Sequence, residues 1–160
     1  DIFMKEDKTN VMRLLDAHKI AYTPLDYSDS GAISGTDAAR ALGLDEKTVF
    51  KTLVTVGKSG RHYVFDIPVA EELNLKKAAA AVGEKNIEMI KSKELLPLTG
   101  YIHGGCSPIG MKKFFTTTFH SSANELSEIV FSAGRIGRFV KIKFSDLPRI
   151  IEFSVADLCD

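Results

Sequence analysis

TVFKTLVTVGKSGRHYVFDIPV, residues 48–69, is the stretch that decides the fold. Two runs rich in β-branched and aromatic residues, 48–56 and 62–69, flank a five-residue loop that contains two glycines. Such runs favour strands, and a short glycine-containing loop between them is typical of a β-hairpin whose loop is slightly longer than the tightest type. The stretch therefore predicts two adjacent antiparallel strands.

Lys51 is the unusual residue of the first predicted strand. Strand alternation places it on the same face as Val49 and Leu53, which are both aliphatic. Burying an unpaired ammonium is costly, so the side chain must reach solvent along its stem, pair with a carboxylate, or project into a polar cavity. An edge-strand lysine that reaches solvent and a lysine in a binding site both fit this pattern.

The rest of the chain alternates helical and strand patterns without a regular βαβ rhythm. Thr9 or Asn10 can cap a first helix, Pro24 marks an edge strand, and Asn74 can cap an alanine-rich helix that ends at Gly83. Further expected elements are a helix from Thr36 or Asp37, strands in 113–120, 129–132 and 138–144, and a last helix from Asp146 that packs back on the sheet. These elements predict a single α+β domain over residues 4–160, with a mixed, curved β-sheet wrapped by helices.

Composition limits the class of protein. Lys plus Arg and Asp plus Glu both number 21, so there is no global field to attract polyanions, and nucleic acid must bind a local patch. Cys106 and Cys159 lack metal-ligand spacing, so we expect a reducing cytoplasm, no metal and no cofactor. The longest apolar run, 78–82, is too short to span a bilayer. Residues 1–3 resemble a cloning remnant before a native start at Met4.

YIHGGCSPIG, residues 101–110, predicts a loop of unusual backbone shape, with three glycines and a proline within seven residues. It has neither the Lys-Ser/Thr ending of a P-loop nor the GxGxxG dinucleotide pattern. Its amides can point together into a concavity, as in an oxyanion receptor, although an ordinary tight connection has the same composition. The stretch 130–137 similarly ends a strand in Ser132 and two glycines, and it is either a ligand-facing strand end or a plain β-turn.

Together, these segments resemble the YbaK / prolyl-tRNA synthetase-associated domain family of free-standing editing proteins, which hydrolyse mischarged aminoacyl-tRNA. The matching segments are 49–53, 66–70 with 73–77, 100–110 and 131–137, and the resemblance runs from about Val11 to the last helix. Within the family, the chain is most similar to the bacterial YbaK branch, which acts as a Cys-tRNA(Pro) deacylase. Neighbouring branches remove alanine or other small amino acids.

The resemblance implies substrate-assisted chemistry with Lys51 as the catalytic residue. The thiol of the bound cysteine attacks its own ester carbonyl and releases tRNA and a cyclic thiolactone, so no Ser-His-Asp or Cys-His group is needed. Lys51 orients the aminoacyl group or stabilises charge on the carbonyl or leaving oxygen. Two alternatives stay open: a deacylase for alanine or another small amino acid, and a non-catalytic nucleotide- or RNA-binding module.

The resemblance also implies a set of substrate-binding positions. These are Tyr27, Thr52, Gly104, Gly105, Pro108, Gly110 and Ser132. Tyr27 matches an aromatic residue at the pocket mouth and Ser132 a small hydroxyl that lines the site, while the loop residues shape the wall. Thr52 lies beside Lys51 in the motif, but strand alternation points it to the opposite face.

Cys106 and the basic residues complete the candidate site. With His103 or His120, Cys106 would allow a Cys/His hydrolase, but the family chemistry does not use a cysteine there, and we predict a packing thiol. The tRNA acceptor end is expected to contact Lys112, Lys113, Arg135 and Arg138, although a solvated charged face explains each of them equally well. The implied partners are aminoacylated tRNA and prolyl-tRNA synthetase, with no membrane.

Overall fold

The computed structural model describes residues 7–160, and the cloning remnant predicted at residues 1–3 lies outside them. The helices are α1 (Asn10–Ala17), α2 (Gly35–Ala41), α3 (Leu75–Val82) and α4 (Ser92–Thr99). The strands are β1 (Thr23–Asp26), β2 (Phe50–Gly57), β3 (His62–Pro68), β4 (Ile87–Met89), β5 (Thr116–His120), β6 (Glu128–Arg135), β7 (Arg138–Lys143) and β8 (Ser154–Ala156). Short 3-10 turns cover Glu46–Thr48, Ser121–Glu125 and Phe144–Arg149.

The strands form two sheets. One has the order β1-β7-β6 and is antiparallel, and the other has the order β4-β2-β3-β5-β8, in which β5 runs parallel to β3 and to β8. A single parallel bridge between Val49 and Val130 joins them. The predicted α+β class is confirmed, but the strands expected in one mixed sheet are divided between these two, because β2 and β6 separate after that bridge.

The local signals place most elements correctly. Thr9 caps α1, its hydroxyl accepting from the Met12 N–H at 3.3 Å, and Asn74 caps α3 by accepting from the Lys77 N–H at 3.0 Å. Gly83 ends α3 in the left-handed conformation at φ 74°. Helix α1 then buries Met12 and Leu15 in a core shared with β6, where each such side chain contributes about 1.5–3 kcal/mol.

The predicted C-terminal helix is wrong. Phe144–Arg149 forms only a 3-10 turn, and the chain continues into β8, which extends the larger sheet beside β5. The apolar spacing does mark core contacts, since Leu147 is buried, but Phe153 then packs its ring 5.4 Å from that of Phe119 in β5. The contact between Phe153 and Phe119 places β8 beside the edge of β5, where the backbone N–H and C=O groups of β5 need hydrogen-bond partners.

The register of the hairpin leaves part of β2 unpaired on one side. Val69 N–H donates to Val49 O and Gly57 N–H to Arg61 O, both at 2.8 Å, so odd-numbered residues of β2 form the hydrogen-bonded pairs with β3. The N–H and C=O of Thr52 therefore point away from β3. Strand β4 pairs with β2 only at residues 55–57, and the bridge to β6 is at Val49. Ile90 N–H also donates to Val54 O at 3.3 Å, so in the described part of the chain the edge of β2 is free over residues 51–53.

Candidate active site

A cavity of about 290 Å³ opens at this free edge of β2. It is lined by residues 50–53 of β2, by Ser132 and Phe139 from the three-stranded sheet, by Tyr27 and residues 33–36, and by Leu95, Val69, His103, Gly104 and Cys106. The cavity thus lies where the two sheets separate, and it wraps around the strand that carries Lys51. Most of the predicted site meets here although it comes from distant parts of the chain.

Lys51 is half-buried and lines the cavity. Its ammonium acts on a nearby thiol, that of Cys159. Burial raises the pKa of this thiol to about 11, with Glu71 and Asp157 adding to the rise, while the Lys51 and Lys77 ammonium groups oppose it. Among residues 7–160, Lys51 forms no ion pair with a carboxylate. Of the three environments that the sequence allowed, a carboxylate partner is absent from the described residues, and Lys51 instead lies in the cavity wall with part of its side chain exposed.

Thr52 lines the same cavity, although strand alternation had pointed it away from Lys51. Both can do so because the cavity surrounds the free edge of the strand and meets both of its faces. The Thr52 hydroxyl donates to Asp66 Oδ1 at 2.6 Å. Thr52 is thus a cavity residue on the strand face opposite Lys51, which agrees with strand alternation.

Asp66 is the residue that sequence reasoning missed. It is fully buried, and burial raises its pKa from the usual 3.8 to about 8, while the hydrogen bond from Thr52 opposes the rise. Its second oxygen, Oδ2, has no hydrogen-bond partner among the residues that the structure describes. The signal was present in the sequence, because Asp66 is the single carboxylate in the apolar run 63–69.

The glycine loop contributes only part of the predicted wall. Gly104, at φ 88°, lines the cavity together with His103 and Cys106. Gly105, Pro108 and Gly110 do not line it. A Cβ on Gly105 would lie 3.1 Å from the Ile136 N of the β6–β7 turn, and Gly110 has φ 82°, so these two glycines shape the loop from behind the wall.

Cys106 is placed beside the substrate space but is poorly suited to act as a nucleophile. Burial, and secondarily the charge of Asp66, raises the pKa of its thiol to about 12, so it remains protonated near neutral pH. No hydrogen bond joins it to His103 or His120 in the described part of the chain. His120 is engaged elsewhere, its Nδ1 accepting from the Leu158 N–H at 3.0 Å. The Cys/His alternative therefore lacks the nucleophile–base contact that it needs.

Tyr27 and Ser132 both lie in the cavity wall, as the resemblance implied. The Tyr27 ring packs on Phe139 with 4.7 Å between centroids, and burial raises the pKa of its phenol. Ser132 Oγ accepts from the Gly134 N–H at 3.0 Å. Within residues 7–160 the Ser132 hydroxyl donates to no protein acceptor, so its hydrogen is available to a ligand.

The basic residues divide into two kinds. Lys112, Lys113 and Arg135 are exposed. Arg138 is buried, and its guanidinium donates to the Asp7 carbonyl at 3.0 Å and lies 3.9 Å from Asp26 Oδ2. A phosphate contact by Arg138 is contradicted, since this side chain holds the segment before α1 against β1.

A second cavity of about 490 Å³ is larger but has the wrong chemistry for tRNA. Asp45, Glu46, Glu71 and Glu125 contribute to its wall, and among its lining residues Lys47 carries the opposing charge. Carboxylates repel phosphates, so the smaller cavity is the better candidate.

In the described residues, no group of three His, Cys, Asp or Glu side chains is placed to hold a metal ion. None of the helices within 7–160 has the length and apolarity that a bilayer span requires.

The chain belongs to the aminoacyl-tRNA editing domain family, whose model matches residues 31–150. The EbsC protein of Enterococcus faecalis (strain ATCC 700802 / V583), named for Cys-tRNA(Pro)/Cys-tRNA(Cys) deacylase activity, is 44% identical over 138 residues, which cover 86% of this chain and 84% of EbsC.

Two crystal structures have the same fold at low sequence identity. One, described as a trans-editing enzyme for prolyl tRNA synthetase, has a TM-score of 0.79 and 23% identity, and the match covers 95% of this chain and 98% of that one. The other, of a hypothetical protein, has a TM-score of 0.85 and 21% identity, with 95% and 100% of the two chains covered. At these identities the two structures support the fold alone.

Proposed function

We propose that this protein is a trans-editing deacylase that removes cysteine from mischarged Cys-tRNA(Pro), and that it works in the cytoplasm, where tRNA is charged. The observation that carries the proposal is Lys51, which is a residue of the wall of a small cavity and has no carboxylate partner in the described chain. The family match and the 44% identity to EbsC support the class of reaction and the cysteinyl substrate.

The reaction needs little from the protein because an aminoacyl ester is already an activated acyl group. The thiol of the bound cysteine gives up its proton and attacks its own carbonyl carbon, the carbon–oxygen ester bond breaks, and the ribose oxygen of tRNA leaves as a hydroxyl with the proton that the thiol gave up. The product is a cyclic thiolactone. Positioning and electrostatic stabilisation suffice for such a step. The high pKa of Cys106 agrees with a nucleophile that is supplied by the substrate.

The cavity residues take separate roles in this scheme. Lys51 stabilises the negative charge that develops on the carbonyl or leaving oxygen. Ser132 donates its free hydroxyl hydrogen to the same region, and Tyr27 with Phe139 forms an apolar wall. The volume of about 290 Å³ is at the lower end of small-molecule pockets, roughly 300–1,000 Å³, and suits a small acyl group.

The tRNA partner extends beyond the cavity. The acceptor end is single-stranded, and the exposed Lys112, Lys113 and Arg135 are the candidate phosphate contacts that the structure leaves available. Because the net charge is zero, these contacts give modest affinity, and we propose that prolyl-tRNA synthetase helps to present the substrate.

The direct test is the lifetime of the ester in Cys-tRNA(Pro) with and without the protein. We expect rapid ester loss with the wild-type protein and a loss of rate of at least about 100-fold in Lys51→Ala, since one stabilising donor is worth about 10²–10³ in rate. Lys58→Ala, in the distant hairpin loop, is the matched control and should keep full activity. An unchanged ester lifetime with the wild-type protein would exclude the deacylase function, and full activity of Lys51→Ala would exclude the assigned role.

A substrate panel separates the thiol-assisted reaction from the other deacylase branches. If Ala-tRNA or Ser-tRNA loses its amino acid as fast as Cys-tRNA, the attacking group is not the substrate thiol. Binding of the aminoacylated acceptor end without any ester loss would instead support the non-catalytic RNA-binding module. Detection of the thiolactone among the products is the positive result expected for the proposed reaction.

A further inference from the structure

Asp66 is a buried acid that the proposed reaction leaves unexplained. It has no exposed surface, it receives one hydrogen bond, and Oδ2 has no partner among the described residues. Burying such a group costs free energy, and a well-packed apolar residue of similar size is often at least as stable. Stability therefore gives no reason for an acid at this position, whereas perturbed acids next to a cleft are candidates for a functional role.

The position of Asp66 on the sheet determines what Thr52 can offer to the cavity. The two residues lie directly opposite each other on β3 and β2, and they form a non-hydrogen-bonded pair, in which facing side chains are closest. The single hydroxyl hydrogen of Thr52 is donated to Asp66 Oδ1 at 2.6 Å. Thr52 lines the cavity, so what remains for a ligand is the acceptor capacity of Oγ1.

The surroundings of this acceptor favour a neutral partner. Val54, Val64 and Leu95 form an apolar cluster with Cys106 packed against it, and Leu95 and Cys106 also line the cavity. A substrate ammonium in this environment would be desolvated and would share the cavity with the Lys51 ammonium. The neighbouring Cys106 interacts electrostatically with Asp66, and its own thiol stays protonated in these surroundings. A small, weakly polar S–H donor fits these conditions.

We propose that Asp66 and Thr52 form a thiol subsite, in which Thr52 Oγ1 accepts a hydrogen bond from the side-chain S–H of the cysteinyl group and Asp66 acts through Thr52 as a positioning residue. This inference rests on the proposed function, because it concerns the same cavity and substrate. The subsite selects a thiol over a methyl group before any chemistry occurs. An unmet hydrogen bond of this kind corresponds to about a tenfold change in affinity.

The test uses two stable amides of 3′-amino-3′-deoxyadenosine, one with cysteine and one with 2-aminobutyrate, which replaces CH2SH by an ethyl group. Dissociation constants are measured by calorimetry under reducing conditions. The wild-type protein should bind the cysteinyl amide about tenfold more tightly. In Thr52→Val the ratio should fall to about one, while Thr116→Val, on the exposed end of β5, should keep the wild-type ratio.

Asp66 variants separate positioning from a merely structural role. Asp66→Asn retains an oxygen that accepts from Thr52, so the ratio should stay near the wild-type value, while Asp66→Leu removes the partner that orients the Thr52 hydroxyl and should lower the ratio toward one. If Asp66→Leu does not fold, Thr52→Val and Asp66→Asn still decide the question. A collapsed ratio in Asp66→Asn would contradict the acceptor geometry.

Three outcomes would overturn the subsite. The first is equal binding of the two amides by the wild-type protein, and the second is a tenfold preference that persists in Thr52→Val. The third uses an additional amide, with 3-mercaptopropionate, which keeps the thiol but lacks the amino group. If Thr52→Val weakens binding of the cysteinyl amide but not of this third amide, Thr52 binds the ammonium and not the thiol. The amides require no turnover. Failure of the subsite is therefore distinguishable from failure of the deacylase function, which is read from the ester of Cys-tRNA(Pro).

Discussion

At the scale of single residues, the chemistry of the site depends on which of three polar side chains are desolvated by burial. Lys51 stays at a cavity surface and keeps its ammonium available, whereas Cys106 and Asp66 are desolvated and their protonated forms are favoured. The same strand pair thus combines a lysine in the cavity wall with a desolvated carboxyl group.

Asp66 makes the stability of the protein depend on pH in a predictable direction. Its pKa is 3.8 in the unfolded chain and about 8 in the folded protein, so between these values the folded state holds a proton that the unfolded state releases. This stabilisation is complete below about pH 4 and is lost as pH rises to about 8, at up to about 1.4 kcal/mol per pH unit. Asp66→Asn lacks this dependence.

Urea denaturation of both proteins across this range measures the effect. The free energy of unfolding of Asp66→Asn minus that of the wild type should rise with pH and level off above about pH 8. A difference that does not change between pH 5 and 8 would contradict the burial of an uncompensated carboxyl at position 66.

Cys106 should be dispensable for the chemical step. Its thiol is held protonated, so Cys106→Ala should still cleave Cys-tRNA(Pro) at a rate of the same order as the wild type. Removal of a true protein nucleophile lowers the rate by several orders of magnitude. Single-turnover measurement of ester loss distinguishes these results, and an inactive but folded variant would restore the cysteine-nucleophile alternative.

At the scale of elements, strand β8 and the residues after it hold the larger sheet to α3. Leu158 is fully buried, its N–H donates to His120 at 3.0 Å, and its carbonyl accepts from the Asn74 N–H at 2.8 Å. The segment therefore connects β5 to the N-terminal cap of α3. This contact replaces the helix that apolar spacing had predicted.

Leu158→Ala tests that role of the C-terminal segment. We expect a loss of about 2–5 kcal/mol in the free energy of unfolding, because a buried leucine is replaced by a cavity. Leu96→Ala on α4 is the matched control, since Leu96 is 52% exposed and should cost well under half as much. Thermal and urea unfolding give both values, and equal effects of the two substitutions would show that the segment is not docked as described.

At the scale of the whole molecule, zero net charge makes tRNA binding depend on a local patch. Each phosphate contact contributes a slope of about 0.9 or less to the fall of log affinity with log salt. Lys112→Gln should weaken binding of Cys-tRNA(Pro) and reduce this slope by up to about one, while Lys58→Gln in the hairpin loop should change neither. KM measured at several salt concentrations gives the slopes, and identical slopes for Lys112→Gln and the wild type would remove Lys112 from the interface.

The sequence by itself determined the hairpin, the caps of α1 and α3, the α+β class and the family, because these depend on local propensity and on motifs of adjacent residues. It also indicated Lys51, Tyr27, Ser132 and the glycine loop as parts of one site. Only the tertiary structure decided that the strands form two sheets, that the C-terminal segment is a strand, and that Arg138 is buried. It also showed that Asp66 supports Thr52 in the wall of the cavity. These features depend on contacts between residues far apart in the chain, which local patterns do not specify.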